Sequence, residues 1–266
     1  VREDEMNQAF NFGYLATPWD AGALRGVIDE SMEAFGGVGA PSTWVLSNHD
    51  VVRHASRFGL TMATEGQPTG IGPNSPQKPD EVLGLQIARA ATTVLMALPG
   101  SAYIYQGEEL GLPEVIDIPD ELRQDPTFFR TNGERYGRDG CRVPIPWEGD
   151  NPAYGFNSTG ASWLPQPASF SSLARSEQEG VAGSTLELYK TLVRLRSELG
   201  LGTGSCEWLE GYADDVVAFR NGTVGVIANT GGSDVILPAG EVLVSSGELT
   251  GSVLPPNTSV WVKLAP

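Results

Sequence analysis

Two apolar runs, each ending in a cluster of polar residues and separated by a helical pattern, set the architecture open to this chain. Trp44-Val45-Leu46 stops at Ser47-Asn48-His49-Asp50, and Ala102-Tyr103-Ile104-Tyr105 stops at Gln106-Gly107-Glu108-Glu109. Short β-branched and aromatic runs of this kind read as buried strands. Between them, Leu83, Ile87, Ala91, Val94 and Leu98 follow Asp80 at spacings of three and four, the pattern of a helix with one apolar face, until Pro99-Gly100 ends it. Strand, helix and strand in that order pair in parallel, and a parallel sheet presents the polar ends of its strands along one rim.

The same alternation extends upstream. Gln8-Ala9-Phe10-Asn11-Phe12-Gly13-Tyr14 alternates polar and aromatic residues like a short strand, and Pro18-Trp19-Asp20 opens a helix carrying Leu24, Val27, Ile28, Met32 and Phe35. Gly59 to Pro79 is dense in Gly and Pro and reads as a loop. Residues 112–183 are weakly periodic and rich in Pro, Gly, Asp and Trp, as expected of a functional excursion over an active face. Ser184-Thr185-Leu186-Glu187 is a capping box, and its helix should run to Gly200. From Cys206 the regime changes to short β-rich runs: Val216 to Phe219, Val224 to Ala228 after an Asn221-Gly222 turn, Val235 to Leu237, Val242 to Val244 and Ser259 to Leu264. These indicate an antiparallel β-sandwich. The expected division is therefore an α/β domain over 1–202 and a β-sandwich over 203–266.

Composition narrows the partners. The 266 residues carry a formal charge of −16 and a pI near 4.4, which argues against nucleic acids and anionic membranes, since phosphate binding depends on clustered Lys and Arg. Neutral substrates remain compatible. The sequence has neither a continuous apolar span of membrane length nor a basic-then-apolar leader, so a cytoplasmic location is expected. Cys141 and Cys206 lack metal-ligand spacing and are too few for a disulfide framework; reduced thiols are expected.

The chain holds two histidines, His49 and His54, so chemistry that needs an imidazole must draw on one short segment. A carboxylate at a strand end beside Asn and His suits sugar recognition or acid and base catalysis. It equally suits a strand-end cap, with Asp50 accepting backbone N–H groups and His49 satisfied in the core. Spacing leaves both readings open. Metal binding ranks lower, because no further His or Cys stands at ligand spacing.

Three strings in order resemble the α-amylase superfamily of glycoside hydrolases, and within it the α-glucosidase and oligo-1,6-glucosidase branch. They are Ser47-Asn48-His49-Asp50-Val51 with Arg57-Phe58-Gly59; Leu98-Pro99-Gly100 with Tyr103-Ile104-Tyr105-Gln106-Gly107-Glu108-Glu109-Leu110-Gly111; and Gly137-Arg138-Asp139-Gly140-Cys141-Arg142-Val143-Pro144-Ile145-Pro146-Trp147. The resemblance covers essentially the whole chain. It implies the C-terminal part of a (β/α)8 TIM barrel, with Gln8 to Tyr14 as the sixth strand, Trp44 to Leu46 the seventh and Ala102 to Tyr105 the eighth, followed by the family's β-sandwich.

By the same resemblance, Asp50 is the carboxylate that stabilises the transition state, and His49 hydrogen-bonds the hydroxyls of the sugar beside the scissile bond. Such contacts tighten as the ring flattens toward an oxocarbenium ion. Arg142 resembles the family's pocket arginine, with Arg138 as the competing assignment; a structural salt bridge is the alternative for either. Glu108 and Glu109 are architectural in the family. No cofactor and no catalytic metal are implied.

The family's retaining mechanism also needs an Asp nucleophile and a Glu acid/base, from the ends of the fourth and fifth strands. These are expected upstream of Val1, so the chain is expected to be inactive alone and to work with the upstream part of the same enzyme. Three strands would otherwise leave parallel edges and an apolar face exposed. The implied activity is hydrolysis of terminal α-glucosidic bonds in maltose-like oligosaccharides, and Val143-Pro144-Ile145-Pro146-Trp147 leans toward α-1,4 linkages. The alternatives are a trehalose synthase, isomerase or transglycosylase of the same family, or a non-catalytic binding or scaffold protein on this fold. Intact His49-Asp50 speaks against the scaffold.

Overall fold

The computed structural model describes residues 8–60 and 70–264. The opening residues and the centre of the Gly/Pro-rich loop therefore lie outside the described residues. Helices α1 (Phe12–Ala16) and α2 (Ala21–Gly36) precede strand β1 (Thr43–Val45). Helices α3 (His54–Arg57) and α4 (Glu81–Ala97) lead to β2 (Ser101–Tyr103). Short helices α5 (Pro126–Arg130), α6 (Phe170–Leu173) and α7 (Arg175–Gln178) interrupt the long excursion, and α8 (Thr185–Glu198) closes it. Strands β3 (Glu207–Trp208), β4 (Val216–Asn221), β5 (Val224–Asn229), β6 (Val235–Ile236), β7 (Glu241–Ser245), β8 (Val253–Leu254) and β9 (Thr258–Lys263) complete the order. Two compact units result, one of described residues 8–46, 86–103 and 190–264, the other of 47–60, 70–85 and 104–189.

In the first unit β1 and β2 pair in parallel, with Trp44 opposite Ala102, as the alternation of strand and helix demands. Trp44 is fully buried; its indole donates to the Pro99 carbonyl at 2.6 Å and its ring meets Tyr14 edge to face. The expected strand over Gln8 to Tyr14 does not form. Asn11 caps a helix instead, its Oδ1 accepting from the Tyr14 N–H at 2.9 Å, so the chain turns at Phe12. What reads as period-two alternation is a cap followed by one helical turn. Phe10, Phe12 and Tyr103 remain exposed, with Phe10 packed edge to face on both of the others.

The antiparallel sheet runs in the order β3-β4-β5-β9-β7, and β6 pairs separately with β8. Both faces of its central strands are buried. On one face Val216, Ala218, Ile227, Val260 and Val262 pack with Leu237 and Leu254. On the other lie Val217, Phe219, Val226 and Trp261, whose indole donates to the Thr93 carbonyl of α4 at 2.9 Å. Alternation along a strand places successive side chains on opposite faces, so a continuously apolar strand marks a sheet covered on both sides.

The second unit contains the excursion, which is irregular in backbone but has its own core. Leu110, Leu112, Val115, Ile118, Val143, Ile145, Leu164 and Phe170 form one buried cluster. Half of the expected capping box of α8 forms: Ser184 Oγ accepts from the Glu187 N–H at 3.2 Å, but the Glu187 carboxylate accepts from the Gly180 N–H at 2.8 Å while the Ser184 N–H donates to the Val181 carbonyl. Among the described residues no helix is long and apolar enough to cross a membrane.

Candidate active site

Ser47 to Asp50, which follow β1 after Leu46, divide into an inner and an outer pair. Ser47 and Asn48 are buried and shape the turn: Ser47 Oγ accepts from the His54 N–H and bonds His54 Nδ1, both at 2.9 Å, while Asn48 Oδ1 accepts from the Asp50 N–H at 2.8 Å. Asn48 thus does the capping that Asp50 could have done. The core histidine is His54, whose burial drives its imidazole toward the neutral form, a trend reinforced by the charges of Arg57 and Arg53. His49 and Asp50 are left outward, with side chains 61% and 49% exposed and the imidazole Nε2 3.5 Å from Asp50 Oδ2.

Asp50 meets both sequence-nominated arginines. Arg138 Nη1 donates to Asp50 Oδ1 at 2.9 Å, and Arg142 Nη2 donates to the same oxygen at 3.0 Å. Arg142 Nε also donates to the His49 carbonyl at 2.8 Å, tying the arginine to the turn itself. Both arginines thus reach the same carboxylate oxygen. Burial pushes the Asp50 carboxyl upward, but the Arg138 hydrogen bond and the charges of His49, Arg138 and Arg142 outweigh it and hold the carboxyl below its ordinary value. Asp50 is therefore an anion at neutral pH, with Oδ1 engaged and Oδ2 turned toward the imidazole.

Asp125 is the member that sequence reasoning missed. It is buried, and its Oδ2 accepts from Arg138 Nε at 2.6 Å and from the Arg138 N–H at 2.8 Å, while Oδ1 caps α5 through the Thr127 N–H at 2.8 Å. Burial raises the Asp125 carboxyl, yet the bonds from Arg138 and Thr127 prevail and hold it well below the usual carboxylate range. Asp139 braces the same segment from the other side, accepting from the N–H groups of Gln124 and Asp125 at 2.9 and 3.1 Å. Gly137 makes the approach possible: its φ is +73°, and a Cβ there would stand 2.7 Å from the Asp125 carboxyl carbon. The available sequence signal was Asp125-Pro126-Thr127, a helix start with Pro at its first position.

Glu108 is buried and bonds neither Asp50 nor the two arginines in any contact seen among the described residues. Its oxygens accept from the Tyr105 N–H at 3.2 Å and the Tyr189 hydroxyl at 3.4 Å, and burial pushes its carboxyl up to about 8. Beside the arginines, Trp163 is half exposed and donates its indole N–H to the Arg142 carbonyl at 3.2 Å. Both cysteines are free thiols, pushed up to about 12 by burial. Among the described residues no group of three or more His, Cys, Asp or Glu is placed to hold a metal ion.

An exposed carboxylate held ionised by two guanidiniums, with an imidazole alongside, offers hydrogen-bond acceptors and donors suited to vicinal hydroxyls and a negative charge suited to a developing cation. Comparison with known proteins accords with that chemistry. The chain is 35% identical over 168 residues to a probable alpha-glucosidase of Rhizobium meliloti, covering 63% of this chain and 26% of the relative. It is 28% identical over 221 residues to maltase A1 of Drosophila melanogaster, covering 81% and 33%. Among solved structures, the alpha-glucosyl transfer enzyme XgtA superposes with a TM-score of 0.68 at 30% identity, covering 93% of this chain and 44% of that one. A trehalulose synthase MutB variant, at 24% identity and a TM-score of 0.73, shares the fold. The chain spans about a quarter to a third of the length of these curated relatives. The alpha-amylase catalytic-domain profile matches residues 3–201, and the chain belongs to the alpha-amylase family of glycosidases.

Proposed function

We propose that this chain supplies the transition-state-stabilising half of an α-glucosidase active site, releasing glucose from the non-reducing ends of maltose-like oligosaccharides with retention of configuration. The observation that carries the reading is Asp50, kept ionised and half exposed by Arg138 and Arg142 beside an exposed His49. In the reaction, Asp50 and His49 bind hydroxyls of the glucosyl ring at the scissile bond, and these bonds shorten as positive charge builds at the anomeric carbon. Arg138 and Arg142 orient the carboxylate and keep it unprotonated, so that it meets the oxocarbenium ion as an anion.

The nucleophilic Asp and the acid/base Glu belong, in this reading, to polypeptide beyond these residues, consistent with a chain that spans 26% of its Rhizobium relative. Residues 1–202 are then the C-terminal portion of a (β/α)8 barrel and 203–266 its β-sandwich domain. The exposed Phe10, Phe12 and Tyr103 fit a surface that further barrel strands cover.

A second reading, transfer of the glucosyl group to a sugar acceptor, draws on the 30% identity with a glucosyl transfer enzyme. Product analysis separates the two. With the chain joined to its upstream polypeptide, maltose yielding glucose alone supports hydrolysis; longer or rearranged glucosides support transfer; unchanged maltose together with unchanged isomaltose refutes both.

A further inference from the structure

Arg138 and Arg142 lie on one short segment, and something must hold that segment against Asp50. The carbonyl of Cys141, immediately before Arg142, accepts two hydrogen bonds. One comes from Arg53 Nη2 at 2.9 Å and the other from the Tyr105 hydroxyl, also at 2.9 Å. Arg53 follows Asp50 by three residues, and Tyr105 follows the end of β2. The arginine segment is thus gripped from both strand-end loops at a single oxygen.

The grip is rigid. Arg53 is buried and its Nη1 donates to the Gln106 carbonyl at 3.0 Å, so its guanidinium spans from the loop after β2 to the arginine segment. Its plane lies over the Tyr105 ring, 5.0 Å from the centroid, and its backbone N–H donates to Glu114 Oε2 at 3.0 Å. Within the gripped segment, Cys141 Sγ bonds the Arg138 carbonyl at 3.2 Å and the Arg142 N–H donates to the Asp139 carbonyl at 3.0 Å. A planar fork with two fixed acceptors holds position better than a single flexible donor could.

We propose that Arg53 and Tyr105 are positioning residues that set the distance of both site arginines from Asp50 by clamping the Cys141 carbonyl. Arg53 is buried, and the Tyr105 hydroxyl is engaged by the Cys141 carbonyl. Their effect is transmitted through the backbone of the arginine segment, where displacement of about an ångström is enough to degrade a reactive geometry. The inference rests on Asp50 being the reactive-site carboxylate, and it deepens that reading by naming what keeps the site in register.

The test follows Asp50 itself in this chain by ¹³C-carboxyl NMR titration, its signal identified by its loss in Asp50→Asn. Among the described residues the charged groups facing Asp50 are His49, Arg138 and Arg142, so the titration reports the placement of the two guanidiniums. In Tyr105→Phe the circular dichroism spectrum should be unchanged and Asp50 should titrate at higher pH than in the parent. Arg53→Lys, which keeps the charge but loses the fork, should shift it further in the same direction. Where the Arg53 variant does not fold, Tyr105→Phe decides alone. An Asp50 titration identical to the parent's in folded Tyr105→Phe, whatever the loss in melting temperature, overturns the proposal. Because the titration needs no turnover, this failure is separate from any failure of the glucosidase reading.

Discussion

Asp125 underlies the site without facing it, and its removal separates structural from catalytic contributions. Asp125→Ala deletes the bond to Arg138 Nε at 2.6 Å, the bond to the Arg138 N–H and the cap on α5. Breaking a buried ion pair costs about 3–5 kcal/mol when the surviving charge stays buried. Here the Arg138 side chain is 37% exposed, so water recovers part of that and about 2 kcal/mol is the better figure. Loss of the cap adds about 1 kcal/mol, for a total of about 3 kcal/mol. Asp125→Asn keeps a good cap and should lose about 2 kcal/mol. Urea unfolding followed by near-ultraviolet circular dichroism measures both. Because the folded carboxyl is held below its unfolded value, its stabilisation is present above about pH 4 and fades as pH falls below that, so the gap between parent and Asp125→Ala should close in acid. An Asp125→Ala variant within 0.5 kcal/mol of the parent at pH 7, a bound of roughly the usual surface-substitution scatter, would refute the reasoning.

Glu108 behaves in the opposite sense. Its carboxyl is raised by burial to about 8 from an unfolded value of about 4.3, so its contribution is present in acid and lost as pH rises through the folded value. The parent should lose stability between about pH 4 and 8, and Glu108→Gln, which cannot ionise, should show a shallower slope in urea midpoints over that range; parallel slopes would count against it. Gly100 should tolerate no side chain: its φ is +108° and a Cβ would stand 2.2 Å from the Ser42 carbonyl oxygen, opposite which β2 begins. Gly100→Ala should therefore cost about 3 kcal/mol or more, read from thermal unfolding, and a loss below about 1 kcal/mol would contradict the close approach.

The parallel strand pair was legible because both runs are apolar, short and bounded, and because α4 between them carries a clean helical period. The segment at Gln8 to Tyr14 was misread because a polar residue between two aromatics looks the same whether it faces the far side of a sheet or caps a helix. Only the bond from the Tyr14 N–H to Asn11 separates the two. At the site, the type and order of Asn48, His49 and Asp50 were visible, but not that Asn48 would be the cap and His54 the core histidine. Asp125 was hidden because its partner Arg138 lies across an irregular segment with no period to place it, and a long-range ion pair leaves no mark in local spacing.

The most direct test of the account is release of nitrophenol from p-nitrophenyl α-glucoside by this chain, alone and joined to its upstream polypeptide, each beside Asp50→Asn. The account expects no turnover from the chain alone, turnover from the joined protein, and its loss by about a thousandfold in Asp50→Asn, the order seen when a principal charge-stabilising group is removed. Turnover by the chain alone that Asp50→Asn abolishes would place nucleophile and acid within these residues and contradict the division of the site. Undiminished turnover in the joined Asp50→Asn protein would contradict the role of Asp50.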